Sequence, residues 1–224
     1  METRITALVP IRHHSQRVQG KNYRALAGKP LFHHIMETLQ KVPEIDGIVV
    51  DTDSEPVTLG LRAHFPSVMV IRRPEHLRAD DVSMNDILMH DVVQAPSDLY
   101  LQTHSTNPLL KAATVSSAIR SLRSGYPDHD SLFSVTRRQV RLYDQDGRAL
   151  NHDPRQLIQT QELPPVYEEN SCLYLFTGEN LIRRRHRIGE NPILFEIGAD
   201  EAWDIDTELD FAICEFLMAR ASAA

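Results

Sequence analysis

Two groups of residues could do chemistry together, one near each end of the 224-residue chain. The first is Arg12, Ser15, Arg17, Lys21 and Asn22, with His13, His14, Gln16 and Gly20 among them. Cationic heads, a hydroxyl and backbone N–H groups gathered in one loop are the donors that hold phosphate oxygens. The second is Asp204 and Asp206, within Trp203-Asp204-Ile205-Asp206-Thr207-Glu208-Leu209-Asp210. In an extended strand end, alternate side chains share a side, so the two carboxylates point together. Such a pair suits Mg²⁺, which takes a few carboxylates and completes its shell with water and phosphate oxygens. The same residues also read as a helix N-terminus, with Asp206 or Thr207 as cap ahead of Phe211, Cys214, Leu217 and Met218. Spacing alone leaves the two readings level.

The elements that must position these groups alternate in type. The basic loop follows Ile5 to Pro10, an apolar run that reads as a buried strand. Gly28-Lys29-Pro30 then turns the chain into a helix carrying Leu31, Ile35, Leu39 and Val42 on one face, ended by Pro43. No P-loop or dinucleotide fingerprint occurs in the loop. A solvated basic loop is the plain alternative. Its position after the first strand of an α/β chain favours a ligand, because open α/β sheets bind at strand carboxyl ends.

Ile48 to Val50 forms the next short strand, and Asp51-Thr52-Asp53-Ser54 caps a helix with Val57, Leu61 and Phe65. Val68 to Ile71 is a third strand. Strand and helix alternation implies parallel strands joined by right-handed crossovers. A polar loop from Arg72 to Ser83 lies between that strand and a helix with Met84, Ile87, Leu88 and Val92. It therefore falls on the same side of the sheet as the first loop. Leu99 to Gln102 is a strand, and the loop behind it holds His104, which reads as a hydrogen-bonded loop histidine before a general base. A helix over Ala112 to Arg123 and a strand over Leu132 to Thr136 follow.

From Arg137 to Pro165 the periodicity stops. Asp144-Gln145-Asp146-Gly147 marks a hairpin turn, and the irregular stretch behind it has the character of a functional or interface element. Cys172 to Phe176 is an apolar strand. Arg183 to Arg185 read as a solvated helix end.

Composition narrows the function. The chain is 42% apolar and 25% charged, ordinary for a globular domain, and its length suits one large α/β domain over 1–224. A formal net charge of −7 argues against a nucleic-acid partner. Cys172 and Cys214 sit in apolar surroundings and read as buried small hydrophobes, which fits a reducing compartment. No signal-peptide pattern and no apolar run of about 20 residues occurs, so the expectation is a cytoplasmic protein without a membrane partner.

Arg12, Ser15, Lys21, Asn22, Leu26, Gly28, Lys29 and Pro30 reproduce an R-x-x-S-x-x-x-x-x-K-N-x-x-x-L-x-G-K-P order that resembles the opening motif of the acylneuraminate cytidylyltransferases. These are the CMP-sialic acid synthetases and their relatives. Arg73, Pro74, Leu77, Asp80 and Ser83 match the family's loop around the cytosine base, and Asp204 to Asp210 matches its D-I-D-T-E-x-D signature. The resemblance implies a Rossmann-like nucleotidyltransferase fold, a mostly parallel sheet flanked by helices. It also implies a homodimerisation arm over 137–170, and Mg²⁺ on Asp204 and Asp206. The implied reaction moves CMP from CTP to an acidic keto-sugar. Arg12, Ser15 and Lys21 would hold the triphosphate, with Arg17 in place of a lysine common at the position of Gln16. Asn22 would touch ribose or base, Gln102 the sugar acid or the reacting centre, and Asn170 is kept from the family's R-P-N-G. Two departures stand out. The Gln102 loop is longer by two residues, and Glu168-Glu169 replaces the arginine that reaches the acidic substrate. That exchange implies an acceptor other than N-acetylneuraminate, or a compensating cation elsewhere.

Overall fold

The computed structural model describes residues 3–223, with side chains to residue 220. The chain first alternates strand and helix: β1 (Ile5–Leu8), two short strands β2 (Ala25–Leu26) and β3 (Lys29–Pro30), then α1 (Leu31–Gln40), β4 (Gly47–Thr52) and α2 (Glu55–His64). It continues with β5 (Met69–Arg72), α3 (Met84–Gln94), β6 (Leu99–Thr103), α4 (Ala112–Gly125) and β7 (Ser131–Arg138). The last elements are β8 (Val166–Phe176), α5 (Gly178–Arg184), β9 (Pro192–Glu196) and α6 (Glu208–Ala223). Seven strands form one sheet in the order β5-β4-β1-β6-β8-β7-β9.

The chain winds to one side of β1 through β4 and β5, then crosses to its other side at β6, all in parallel. The crevice at such a switch of strand order is where open α/β sheets take ligands. The sheet is mostly parallel, as expected, and β8 is the exception, running antiparallel to both β6 and β7. The arm explains this reversal. β7 leaves the sheet at Arg138 and the chain returns at Val166, directly opposite, as a long hairpin. A parallel edge strand, β9, completes the sheet beside β7, and the sequence reading did not include it.

Alternation along the strands splits the core into two faces. Ile5 and Ala7 pack with Ile35, Met36, Leu61 and Ile119, while Leu8 and Val49 pack with Leu88, Val92, Tyr174 and Phe176. A third, smaller cluster joins the two ends of the chain. Val18, Leu26 and Leu31, from around the basic loop, pack on Ile205, Phe211 and Cys214 from the far end of the chain. Burying Ile205, which is 0% exposed, is worth about 1.5–3 kcal/mol and fastens the acidic segment to the loop. The β2–β3 turn shapes that loop's exit. Ala27 and Gly28 both adopt positive φ (46° and 87°), as a two-residue type I′ hairpin turn requires.

Both cysteines are free and buried, and burial pushes each thiol up to about 12. Among the described residues no helix is long and apolar enough to cross a membrane.

Candidate active site

The loop after β1 is tied down at both ends of its basic run. The His13 N–H donates to Asp53 Oδ1 at 2.7 Å, and His13 Nδ1 lies 3.0 Å from Ser54 Oγ. Asn22 then closes the loop on itself: its Nδ2 donates to the Arg12 carbonyl at 2.8 Å, and its Oδ1 accepts from Ser105 Oγ at 2.8 Å. That last bond joins the loops after β1 and β6 across the switch point. Asn22 is 5% exposed, so its amide is spent on holding the loop's shape. Gly20 has φ +66°, and a Cβ there would stand 2.9 Å from the Tyr23 ring, so only glycine fits the bend before Lys21.

A cavity of about 240 Å³ opens at this point. Arg12, Ser15, Lys21 and Asn22 line one side, Arg73 and Asp80 the other, and His104 to Thr106 its end. Asp80 bridges the mouth, accepting from Arg12 Nη1 at 2.6 Å and from Gln16 Nε2 at 2.5 Å.

The acidic segment reaches the same place from the other end of the chain. The Ile205 N–H donates to the Thr106 carbonyl at 2.9 Å. Lys21 Nζ donates to the Ile205 carbonyl at 2.5 Å and lies 3.5 Å from Asp206 Oδ1, which also meets Arg17 Nη2 at 3.0 Å. The segment belongs to no strand, so the expected strand end is instead an irregular stretch held through Ile205. Asp204 hydrogen-bonds Thr106, and its Oδ1 is buried without a partner. Capping of α6 falls elsewhere: Thr207 Oγ1 accepts from the Asp210 N–H at 3.3 Å, while Asp210 Oδ2 accepts from the N–H groups of Asp206 and Thr207. Neither Asp204 nor Asp206 is consumed as a cap by its side chain.

Burial shifts the protons here. It raises the Asp204 carboxyl above its usual range, with the bond to Thr106 opposing and the Asp206 charge adding to the rise. It lowers the Lys21 ammonium, opposed by Asp204 and Asp206. A buried carboxylate oxygen without a donor, next to a second carboxylate 40% exposed, is a donor set that fits a hard divalent cation.

The loop between β5 and α3 is fixed from below. Arg73 is 4% exposed and its Nε donates to Asp51 Oδ1, while Arg78 donates twice to the Arg73 carbonyl. Asp51 has a second buried carboxylate beside it, Asp91, with His90 Nδ1 at 3.3 Å from Asp91 and 4.0 Å from Asp51. Burial first, and the Asp51 charge second, push Asp91 up to about 8, so Asp91 holds the proton and shares it with Asp51. Burial also raises the Asp51 carboxyl, opposed first by the Arg73 charge and by hydrogen bonds from Arg73 and Asp91. Asp51, His90 and Asp91 are close enough to hold a metal ion, but the Arg73 guanidinium already supplies the cation. Ser83 caps α3, accepting from the Asp86 N–H at 3.2 Å, and does not line the cavity.

Gln102 is fully buried at the end of β6. Its Nε2 lies 3.0 Å from His104 Nε2, and its Oε1 accepts from Arg187 Nη1 at 2.6 Å. Burial, then the charges of Arg187 and Lys21, lower His104 to about 3, so the ring is neutral at pH 7 and too weak a base to take a proton there. Asn170 lies away from the cavity and serves the sheet. Its amide bonds Ser134 Oγ at 2.6 Å and Thr136 Oγ1 at 3.0 Å across a bulge where Ser171 has φ 57°.

The fold thus gathers Arg12, Ser15, Lys21, Asn22, Arg73 and Asp80 around one cavity, with Arg17, Asp204 and Asp206 reached through Lys21 and Gln102 through His104. Ser83 and Asn170 stand apart. Sequence reasoning missed Thr106, Asp91 and Arg187. Asp91 carried a signal, since it occupies the i+4 position from Ile87 on the buried face of α3. Arg187, in a turn after α5, carried none.

A family model described as cytidylyltransferase matches residues 6–215. The chain is 28% identical to the CMP-N,N'-diacetyllegionaminic acid synthase of Legionella pneumophila, over 96% of both chains. It is 24% identical to the post-translational flagellin modification protein B of Campylobacter coli, over 91% of this chain and 90% of that one. In fold it resembles a CMP:2-keto-3-deoxy-manno-octonic acid synthetase solved with CTP, with a TM-score of 0.76 at 18% identity, covering 98% of this chain and 100% of the other.

Proposed function

Because the chain belongs to the cytidylyltransferase family, we propose that it transfers CMP from CTP to the anomeric hydroxyl of a sialic-acid-like keto-sugar acid. The hydroxyl oxygen forms a bond to the α-phosphorus, the α–β phosphoanhydride bond breaks in line, pyrophosphate leaves and the hydroxyl proton is released. The observation that carries this reading is the meeting of Lys21 with Asp206 at 3.5 Å beside a cavity walled by the two polar loops. A phosphoryl transfer of this kind needs chiefly positioning and charge stabilisation.

Arg12, Ser15 and Lys21 face the triphosphate, and Lys21 offsets charge growing on the α-phosphoryl oxygens. Arg12 is held ready by Asp80, which a triphosphate would displace. Arg17 holds Asp206 and adds positive charge at the rim. Arg73 and Asp80 border the base, and Asn22 keeps the loop in shape for both. Asp204 and Asp206 would hold Mg²⁺, which when bound supplies positive charge to phosphate oxygens and acidifies a coordinated hydroxyl.

The acceptor is favoured to be a relative of sialic acid rather than N-acetylneuraminate itself: 3-deoxy-octulosonate, legionaminate, pseudaminate or a phosphonate. Support comes from Glu168 and Glu169 on β8, where acidic residues replace an anion-binding arginine. The relative named as a legionaminic acid synthase points the same way. The 137–170 arm supports a homodimer, because Leu142, Tyr143, Leu150 and Leu157 on it are exposed.

Pyrophosphate release from CTP and Mg²⁺ with a panel of these acids tests the reading. Release with one of them is expected. CTP binding with no release on any acid would favour a nucleotide-binding domain without catalysis.

A further inference from the structure

Arg187 is a cation the nucleotide does not account for. The turn that carries it is anchored to the start of α3, where the Arg187 N–H donates to Asn85 Oδ1 at 3.1 Å and Arg185 Nη2 meets Asp86 at 3.2 Å. Its guanidinium carbon lies over the Tyr174 ring, 3.5 Å from the centroid, and Nη1 donates to Gln102 Oε1 at 2.6 Å. One face and one edge of a rigid fork are therefore fixed, which presents the remaining donors in a set direction. Its acidic neighbour Glu169 is engaged by the Tyr174 hydroxyl and attracts Arg187 through space. Among the described residues, no carboxylate forms a salt bridge to it.

The placement relative to the nucleotide cavity is one residue out. Gln102 touches both Arg187 and His104, and His104 lines the cavity. Arg187 and Lys21 both press on the His104 ring electrostatically, so the two cations flank it. A half-buried guanidinium held by Gln102 and Tyr174 and paired with no carboxylate among the described residues, next to the nucleotide cavity but outside it, is built for a planar anion on the second substrate. Glu168, the residue on β8 that would otherwise be a candidate, is an acid turned to Arg138 at 2.8 Å.

We infer that Arg187, steadied by Gln102 and Tyr174, forms the subsite for the acceptor's carboxylate. This rests on the cytidylyltransferase reading, and it assigns to the turn after α5 the cation that β8 does not supply.

Binding by calorimetry tests it, with α,β-methylene-CTP present and three free acids as probes: N-acetylneuraminate, 3-deoxy-octulosonate and N,N'-diacetyllegionaminate. Each acid is paired with its methyl ester. Charge-assisted bonds of this kind correspond to about 10- to 100-fold in affinity. Arg187→Gln should weaken the tightest acid by that factor, leave its ester unchanged and leave the CTP analogue within about twofold of wild type. Arg187→Lys should recover part of the loss. Equal loss for acid and ester, no loss for the acid, or a matching loss for the CTP analogue would overturn the subsite. So would failure of all three acids to bind the wild type. In that last case CTP-analogue binding would still leave the cytidylyltransferase reading standing.

Discussion

Lys21 and Asp206 come from opposite ends of the chain and stand 3.5 Å apart, with Lys21 also donating to the carbonyl of Ile205. The Lys21 side chain is 12% exposed, and burial holds its ammonium below the ordinary pKa, which the two carboxylates oppose. Removing a buried charge stabiliser of this kind costs on the order of 10²–10³ in rate. Lys21→Ala and Asp204→Ala should each lower kcat by that order with an unchanged circular dichroism spectrum. Near-wild-type turnover in steady-state assays would take that residue out of the mechanism.

The unpartnered Asp204 Oδ1 gives a metal test that does not need turnover. Mg²⁺ should raise the thermal unfolding midpoint of the CTP-bound protein, and EDTA should reverse the rise. Asp204→Asn should abolish the response, because an amide is a weaker ligand for a hard cation. An undiminished Mg²⁺ response in that variant would move the metal elsewhere.

Asp91 ties stability to pH. Its folded pKa is raised, to about 8, so the folded state binds a proton that the unfolded chain has released. Stability conferred by this group is full below its unfolded pKa of about 4 and drains away as pH rises toward 8. Asp91→Asn cannot lose that proton. Urea titrations from pH 5 to 8 should therefore show the wild type losing stability relative to this variant, by up to a few kcal/mol. A pH-independent difference would mean that Asp91 is ionised throughout.

Ile205 locks the acidic segment into the cluster formed with Val18, Leu26 and Leu31. Ile205→Ala should cost about 2–5 kcal/mol of unfolding free energy. It should also lower activity more than an equally destabilising change at Ile119, which lies in the main core. Equal activity in the two variants, measured well below their melting points, would show that anchoring Ile205 does not matter to the site.

The exposed apolar residues of the arm set its own test. Replacing Leu142, Leu150 and Leu157 by serine should convert a dimer to a monomer in sedimentation velocity, with little change in helix content. A wild type that sediments as a monomer would remove the arm's proposed role.

Much of this was legible in the sequence because it is local. Apolar periodicity marked α1, α2 and α3, and the residue types of the first loop singled it out as the lining of a polar cavity. The parts that were not legible depend on long-range pairing. The reversal of β8 follows from where the arm returns to β7, and nothing in Cys172 to Phe176 encodes direction. Spacing could not say which residues cap α6; Thr207 and Asp210 do so. The resemblance placed Asn22 and Ser83 at the nucleotide; the bonds they make to Arg12, Ser105 and Asp86 depend on tertiary placement that motif spacing does not carry. Arg187 gains its meaning only from Gln102 and Tyr174, brought to it by β6 and β8.

The acidic segment has one further consequence, which concerns biosynthesis. A ribosome makes both polar loops and most of the sheet before it reaches Trp203, while Ile205, through Thr106 and Lys21, is what brings Asp204 and Asp206 to the cavity. A nascent chain can therefore shape the cavity while lacking the acids, which join it only once the segment around Ile205 has been made and has docked.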